Sequence, residues 1–116
     1  MSLTKDELDG LKAWVGALPM VSSGPHRFGG VEFKVDGLEF MHFHGQTHLD
    51  IRLSKIDQSQ VLATGMAERH LYAPDAGWVT FKIKSKEDIA KAKEIIQLAH
   101  KNASSITEPH RKRRSE

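Results

Sequence analysis

From Val31 to Leu53 the chain largely alternates apolar and polar residues through three short runs, separated only by Asp36-Gly37 and Gly45-Gln46-Thr47. Alternation with a period of two is the pattern of a strand with one face buried. Parallel strands need a crossover of a dozen residues or more, so connections this short force antiparallel pairing. Asp36-Gly37 is also a strong signal for a two-residue hairpin, because both central positions of a type I′ turn need positive φ. The middle of this chain must therefore be a meander of antiparallel strands, and the rest has to cover its apolar face.

The flanking segments suit that task. Thr4 and Glu7 fit a capping box, after which Leu8, Leu11, Val15 and Leu18 recur at helical spacing up to Pro19. Val21 to Pro25 has turn composition. Residues 54 to 64 fit a short helix with Asp57 as its cap and Gly65 just past its end. Residues 66 to 73 read as a strand, Pro74-Asp75-Ala76-Gly77 as a turn, and Val79, Phe81 and Ile83 as the inward side of a last strand. Ile89, Ala92, Ile96 and Ala99 form the stripe of a final helix that fades near Asn102, with Asp88 suited to its positive end. The predicted order is α-β-β-β-α-β-β-α. Helices can cover only one side of such a sheet, so the expected fold is a two-layer α+β domain with about five strands, mainly antiparallel. One domain is expected over residues 1–103, followed by a polar, basic, disordered tail at 104–116.

Composition narrows the function classes. There are no cysteines, which excludes disulfides, thiolate catalysis and cysteine-ligated zinc or iron–sulfur sites. No apolar run approaches the roughly 20 residues that span a bilayer, and no secretory signal is apparent, so cytoplasmic residence without a membrane partner is expected. The sequence pI near 9.0 belongs to one end of the chain. His110 to Glu116 holds four of the 17 Lys+Arg and one of the 15 Asp+Glu, leaving 13 basic against 14 acidic groups elsewhere. Nucleic-acid binding is thus expected only through the tail, where it would be salt-sensitive. No phosphate-binding Gly-Lys-Ser/Thr loop and no Gly-x-Ser-x-Gly elbow is present. The sequence leaves monomer or homodimer open.

Polar chemistry concentrates around the second turn, and five of the seven histidines lie between residues 26 and 70. The turn length decides whether the central three meet. A two-residue turn at Gly45-Gln46 pairs Phe43 with His48 and scatters the polar residues over both faces. A three-residue loop sets His44 opposite His48 and His42 opposite Asp50, with Met41, Phe43, Leu49 and Ile51 together on the other face. The second register segregates polar from apolar and is preferred, because a one-residue slip would bury charge. Cross-strand neighbours about 4.5–5.5 Å apart at Cβ can share a ligand.

The candidate acid/base residues are His42, His44 and His70, and the candidate metal ligands are His44, His48 and Asp50. No familiar spacing of two histidines and a carboxylate is present. A divalent metal is the cofactor this set would take. His26, Arg27, Gly29, Gly30, Asp50 and Trp78 are candidate contacts for a small-molecule ligand, and Tyr72 shares a strand face with His70. A sheet face whose histidines simply hydrogen-bond to Asp50, Glu32 or water is the plain alternative.

The motifs His26-Arg27-Phe28-Gly29-Gly30-Val31-Glu32-Phe33, His42-Phe43-His44-Gly45, Asp50, Gly65-Met66-Ala67-Glu68-Arg69-His70 and Gly77-Trp78-Val79, in that order, resemble the small bacterial luciferase-family domains. The likeness covers about residues 18 to 99. It implies a stand-alone α+β domain with these residues as signature positions; it does not imply a defined light-emitting reaction. A weaker likeness is to the MmcQ/YjbR-like domains, which share a similar element order and are associated with a fold related to DNA-binding modules.

Overall fold

The computed structural model describes residues 3–26, 29–70 and 74–115. Helix α1 (Lys5–Gly16) opens with the expected capping box: the Glu7 amide donates to Thr4 Oγ1, and the Thr4 amide donates to Glu7 Oε1, each at 3.1 Å. Leu8, Leu11 and Val15 form its buried stripe.

Val21–Pro25, expected as a turn, is instead strand β1, paired antiparallel with β2 (Val31–Val35). Its residues carry no alternating apolar signal because it is an edge strand, where one neighbour supplies the pairing and Pro25 needs no N–H. Asp36 and Gly37 take φ of 49° and 85°, as the hairpin turn requires, and lead into β3 (Leu38–His44). The register between β2 and β3 shifts after Phe33: Phe33 faces Met41 while Lys34 faces Glu39, so Phe40 is an extra residue on β3. That bulge turns Phe40 into the core beside Met41, with 1% and 0% exposure. It also moves Glu39 to the opposite side of the sheet.

Strand β4 (His48–Arg52) follows the three-residue loop in the expected register, with His44 opposite His48, His42 opposite Asp50 and Met41 opposite Ile51. Helix α2 (Lys55–Thr64) is capped by Ser54, whose hydroxyl accepts the Asp57 amide. Asp57 is therefore a first-turn residue and not the cap, and the helix starts about one turn earlier than a cap at Asp57 implies. Gly65 ends the helix with φ 75°. Strand β5 is only Glu68–Arg69, shorter than the expected strand, and residues 71–73 lie outside the described set. After a 3₁₀ turn at Pro74–Ala76 comes β6 (Trp78–Lys82). Gly77 is obligatory there: its φ is 94°, and a Cβ would stand 2.1 Å from the Leu53 carbonyl oxygen.

Helix α3 (Glu87–Ser115) runs well past the expected end at Asn102, so the division at residue 103 falls inside it. Ala99, Ala103 and Thr107 recur every four residues and are buried, which extends the inward stripe the sequence reading ended at Ala99. Among the described residues, no helix is long and apolar enough to cross a membrane.

Among the described residues, six strands form one open antiparallel sheet in the order β1-β2-β3-β4-β6-β5, one strand more than expected. Helices α1 and α3 pack on one face, where Phe33, Phe43, Leu49, Ile51, Val79 and Phe81 meet Leu11, Val15, Ile95 and Ile96 in a single core. The architecture is the two-layer α+β domain that the alternation implies.

Candidate functional site

The other face of the sheet carries the side chains between those core residues. Register places Glu32 beside His42, His42 beside Asp50, and Asp50 beside Thr80 across β2, β3, β4 and β6. No helix is needed to bury their centre. Asp50 is 3% exposed and His42 8%, because neighbouring side chains close over them.

Three donor atoms converge. His42 Nε2, His44 Nε2 and Asp50 Oδ2 lie 2.9 Å from one another along all three edges. His70 Nε2 is 3.4 Å from the same Asp50 oxygen, and His48 Nε2 is 3.6 Å from Oδ1. Thr80 donates its hydroxyl to Asp50 Oδ1 at 2.8 Å, holding the carboxylate in plane. Behind His42, Nδ1 is 2.6 Å from Glu39 Oε1, so Nδ1–H donates to Glu39. That bond orients the ring and directs Nε2 toward Asp50, the arrangement by which a carboxylate commonly fixes a metal-binding histidine. Trp78 walls the group, its ring centre 5.3 Å from His42 and 6.1 Å from His70.

His26 enters from the segment after β1 and stacks flat on His42, with ring centres 4.0 Å apart and planes 13° apart. Its amide donates to the Gly30 carbonyl at 2.9 Å, and Gly29 takes φ 82°. Its Nδ1 is 3.0 Å from Glu32 Oε1 and 3.9 Å from Glu39 Oε1, while Lys34 holds the other Glu32 oxygen at 3.1 Å.

The electrostatics follow from this crowding. Burial lowers the His42 pKa, but hydrogen bonds to Asp50 and Glu39 outweigh it and raise the value to about 9. Burial also disfavours the charged Asp50, yet its bonds from His42 and Thr80 and the nearby histidine charge hold it well below the usual carboxylate range. Burial and the neighbouring His42 charge lower His44, keeping it neutral near pH 7. Bonds from His26 and Lys34 lower Glu32.

Of the residues singled out from sequence, the structure brings His26, His42, His44, His48, Asp50, His70 and Trp78 onto one patch. Gly29 and Gly30 shape the turn beside it. Arg27 and Tyr72 lie outside the described residues. Within the expected metal set, His44 and Asp50 converge, and His42 approaches them more closely than His48 does. Glu39 and Thr80 carry no signal as site residues in the sequence, whereas Glu32 was expected as a hydrogen-bond partner of the histidines and is one. Thr80 could have been found from its place opposite Asp50 once the strand order was known. Glu39 could not, because without the bulge residues 39 and 42 of one strand face opposite ways. A cavity of about 300 Å³ lies elsewhere, at the β5–β6 edge, lined by Gly65, Met66, Glu68, Lys82 and Lys91 among others; Thr80 alone of the cluster reaches it.

Residues 37–99 match the family model described as the luciferase domain. No curated protein and no solved structure matches the chain. The matched stretch is more than half of the sequence and contains His42, His44, His48, Asp50, His70 and Trp78; the chain belongs to the luciferase-domain family.

Proposed function

We propose that this domain binds one divalent transition-metal ion through His42, His44 and Asp50, and uses it to hold and polarise a small ligand on the open face of the sheet. The observation that carries the reading is the triangle of donor atoms with 2.9 Å edges. Around a six-coordinate ion with bonds of about 2.1 Å, adjacent donors are about 3.0 Å apart; around tetrahedral zinc they are about 3.3 Å apart. Edges this short would let the three side chains hold one such ion between them, and the half-open side of the sheet would leave room at it for ligand or water. Two neutral imidazoles and a carboxylate suit Fe²⁺, Mn²⁺, Co²⁺ or Ni²⁺. Glu39 as the partner of His42 and Thr80 as the partner of Asp50 supply the outer bonds that such ligands need.

When bound, such an ion acts as a Lewis acid toward an oxygen ligand and lowers the pKa of bound water. The protein's own part is to orient and to exclude water. His44 and His48 are the half-open side, at 38% and 42% side-chain exposure, whereas His42 and His70 are 10% and 13%. A ligand therefore approaches past His44 and His48 and meets His70 and Trp78 as its back wall. His70 stands where it can exchange a proton with a bound ligand.

The test is Co²⁺ uptake by metal-free protein, followed by calorimetry and absorption. The expected result is the weak d–d absorption of six-coordinate cobalt, with one equivalent of bound ion lost in His44→Ala. If His44→Ala binds as much cobalt as the parent, or the parent binds none, the metal reading is wrong.

A further inference from the structure

The geometry points to a second divalent-cation site, formed by His26 Nδ1, Glu32 Oε1 and Glu39 Oε1 on the far side of the His42 ring. These three donors come from three separate elements and lie within 4.8 Å of one another. The site shares no ligand with the His42–His44–Asp50 set, so it stands or falls independently of the reading above.

Several features hold the donors in place. Stacking on His42 fixes the plane of His26, so Nδ1 cannot swing away without losing that contact. Lys34 takes Glu32 Oε2 and leaves Oε1 toward His26 at 3.0 Å. The bulge after Phe33 is what places Glu39 on this face, and its Oε1 lies 3.9 Å from His26 Nδ1. The two edges at His26, 3.0 and 3.9 Å, are those of donors about 2.1–2.3 Å from a common ion. One imidazole nitrogen with two carboxylate oxygens is a harder set than the inner one, and suits Mn²⁺, Fe²⁺ or Zn²⁺. At 17%, 20% and 27% side-chain exposure, the three residues are sheltered yet open to solvent.

Glu39 gives the pair of sites a distinctive signature. Its Oε1 accepts from His42 Nδ1, so it orients an inner ligand while serving as an outer one. Loss of Glu32 should therefore remove only the second ion, whereas loss of Glu39 should remove the second and loosen the first.

Equilibrium dialysis of the full chain against Mn²⁺ and Co²⁺, read by elemental analysis, tests this. Two ions per chain are expected for the parent, one for Glu32→Gln, one for His44→Ala, and for Glu39→Gln one ion held at least tenfold more weakly. His26→Asn repeats the Glu32 test from another element, and circular dichroism melting confirms that each variant folds. A second ion retained in both Glu32→Gln and His26→Asn overturns the site. A parent that takes one ion, lost in His44→Ala, overturns it too but leaves the inner metal reading intact. A parent that takes none overturns both.

Discussion

The two faces of the sheet are made from the same strands, yet they solve burial in opposite ways. On the helix side, Phe43, Leu49, Ile51 and Val79 are each 0% exposed beneath α1 and α3. On the open side, His42, Asp50 and Thr80 reach nearly the same burial with no helix above, because His26, Trp78 and the more exposed histidines form the cover. An apolar face is held by area removed from water, and its cost of disruption scales with volume. A polar face is held by pairing, and its cost of disruption depends on what is left unpaired. Among the described residues no buried side-chain nitrogen or oxygen lacks a partner, which is what makes the polar face tenable. Period two in β2, β4, β6 and the part of β3 after its bulge assigns each residue to one regime or the other.

Substitutions on adjacent residues of β3 and β4 should separate these regimes. Phe43→Ala leaves a cavity in the core and should cost about 3–5 kcal/mol, enough to remove much of the stability of a domain this size. Urea unfolding measures it, and the variant molecules that remain folded should still bind metal. Asp50→Asn changes almost no volume, yet it leaves the His42 imidazolium facing a neutral amide. It should cost about 3 kcal/mol in metal-free protein near pH 6 and abolish uptake at the inner site. A loss under about 0.5 kcal/mol would mean that the Asp50–His42 pair is not the centre of that face.

How much of this was readable in the sequence follows the same division. The core face was readable because Val31, Phe33, Val35 and Leu49, Ile51, Leu53 alternate strictly, and the demand to bury them chose the three-residue loop at 45–47. The histidine patch followed from that register at once. Three things did not follow. Val21–Pro25 has no apolar period, and an edge strand takes its place from its neighbour's backbone and not from its own side chains. The extension of α3 rests on Ala103 and Thr107, small or polar residues whose burial depends on what packs against them. Glu39 entered the site through a β-bulge, and one inserted residue inverts the facing of everything before it.

The finest distinction between the faces is in their pH dependence, since only the polar one titrates. In metal-free protein the folded His42 value of about 9 stands above its ordinary 6.5. A raised histidine pKa stabilises fully below the unfolded value and loses that contribution as pH rises through the folded one. The depressed Asp50 works the other way, contributing above its ordinary 3.8 and failing only as pH falls below it. The lowered His44 also acts at pH 6.5 and below, where the unfolded chain gains protons that the folded one resists. Between pH 6.5 and 9 His42 therefore dominates, and metal-free protein should lose about 1–3 kcal/mol over that interval. Metal cancels that loss. His42 Nε2 must shed its proton to become a ligand, so affinity should rise over the same interval and offset the lost contribution, which leaves the stability of the loaded protein nearly level. Melting temperatures with and without Co²⁺ should diverge as pH increases, and His42→Gln should remove both the metal-free slope and the divergence. Parallel curves for loaded and metal-free protein would mean that the proton on His42 and the ion do not compete for one nitrogen, and that the inner site is built on other atoms.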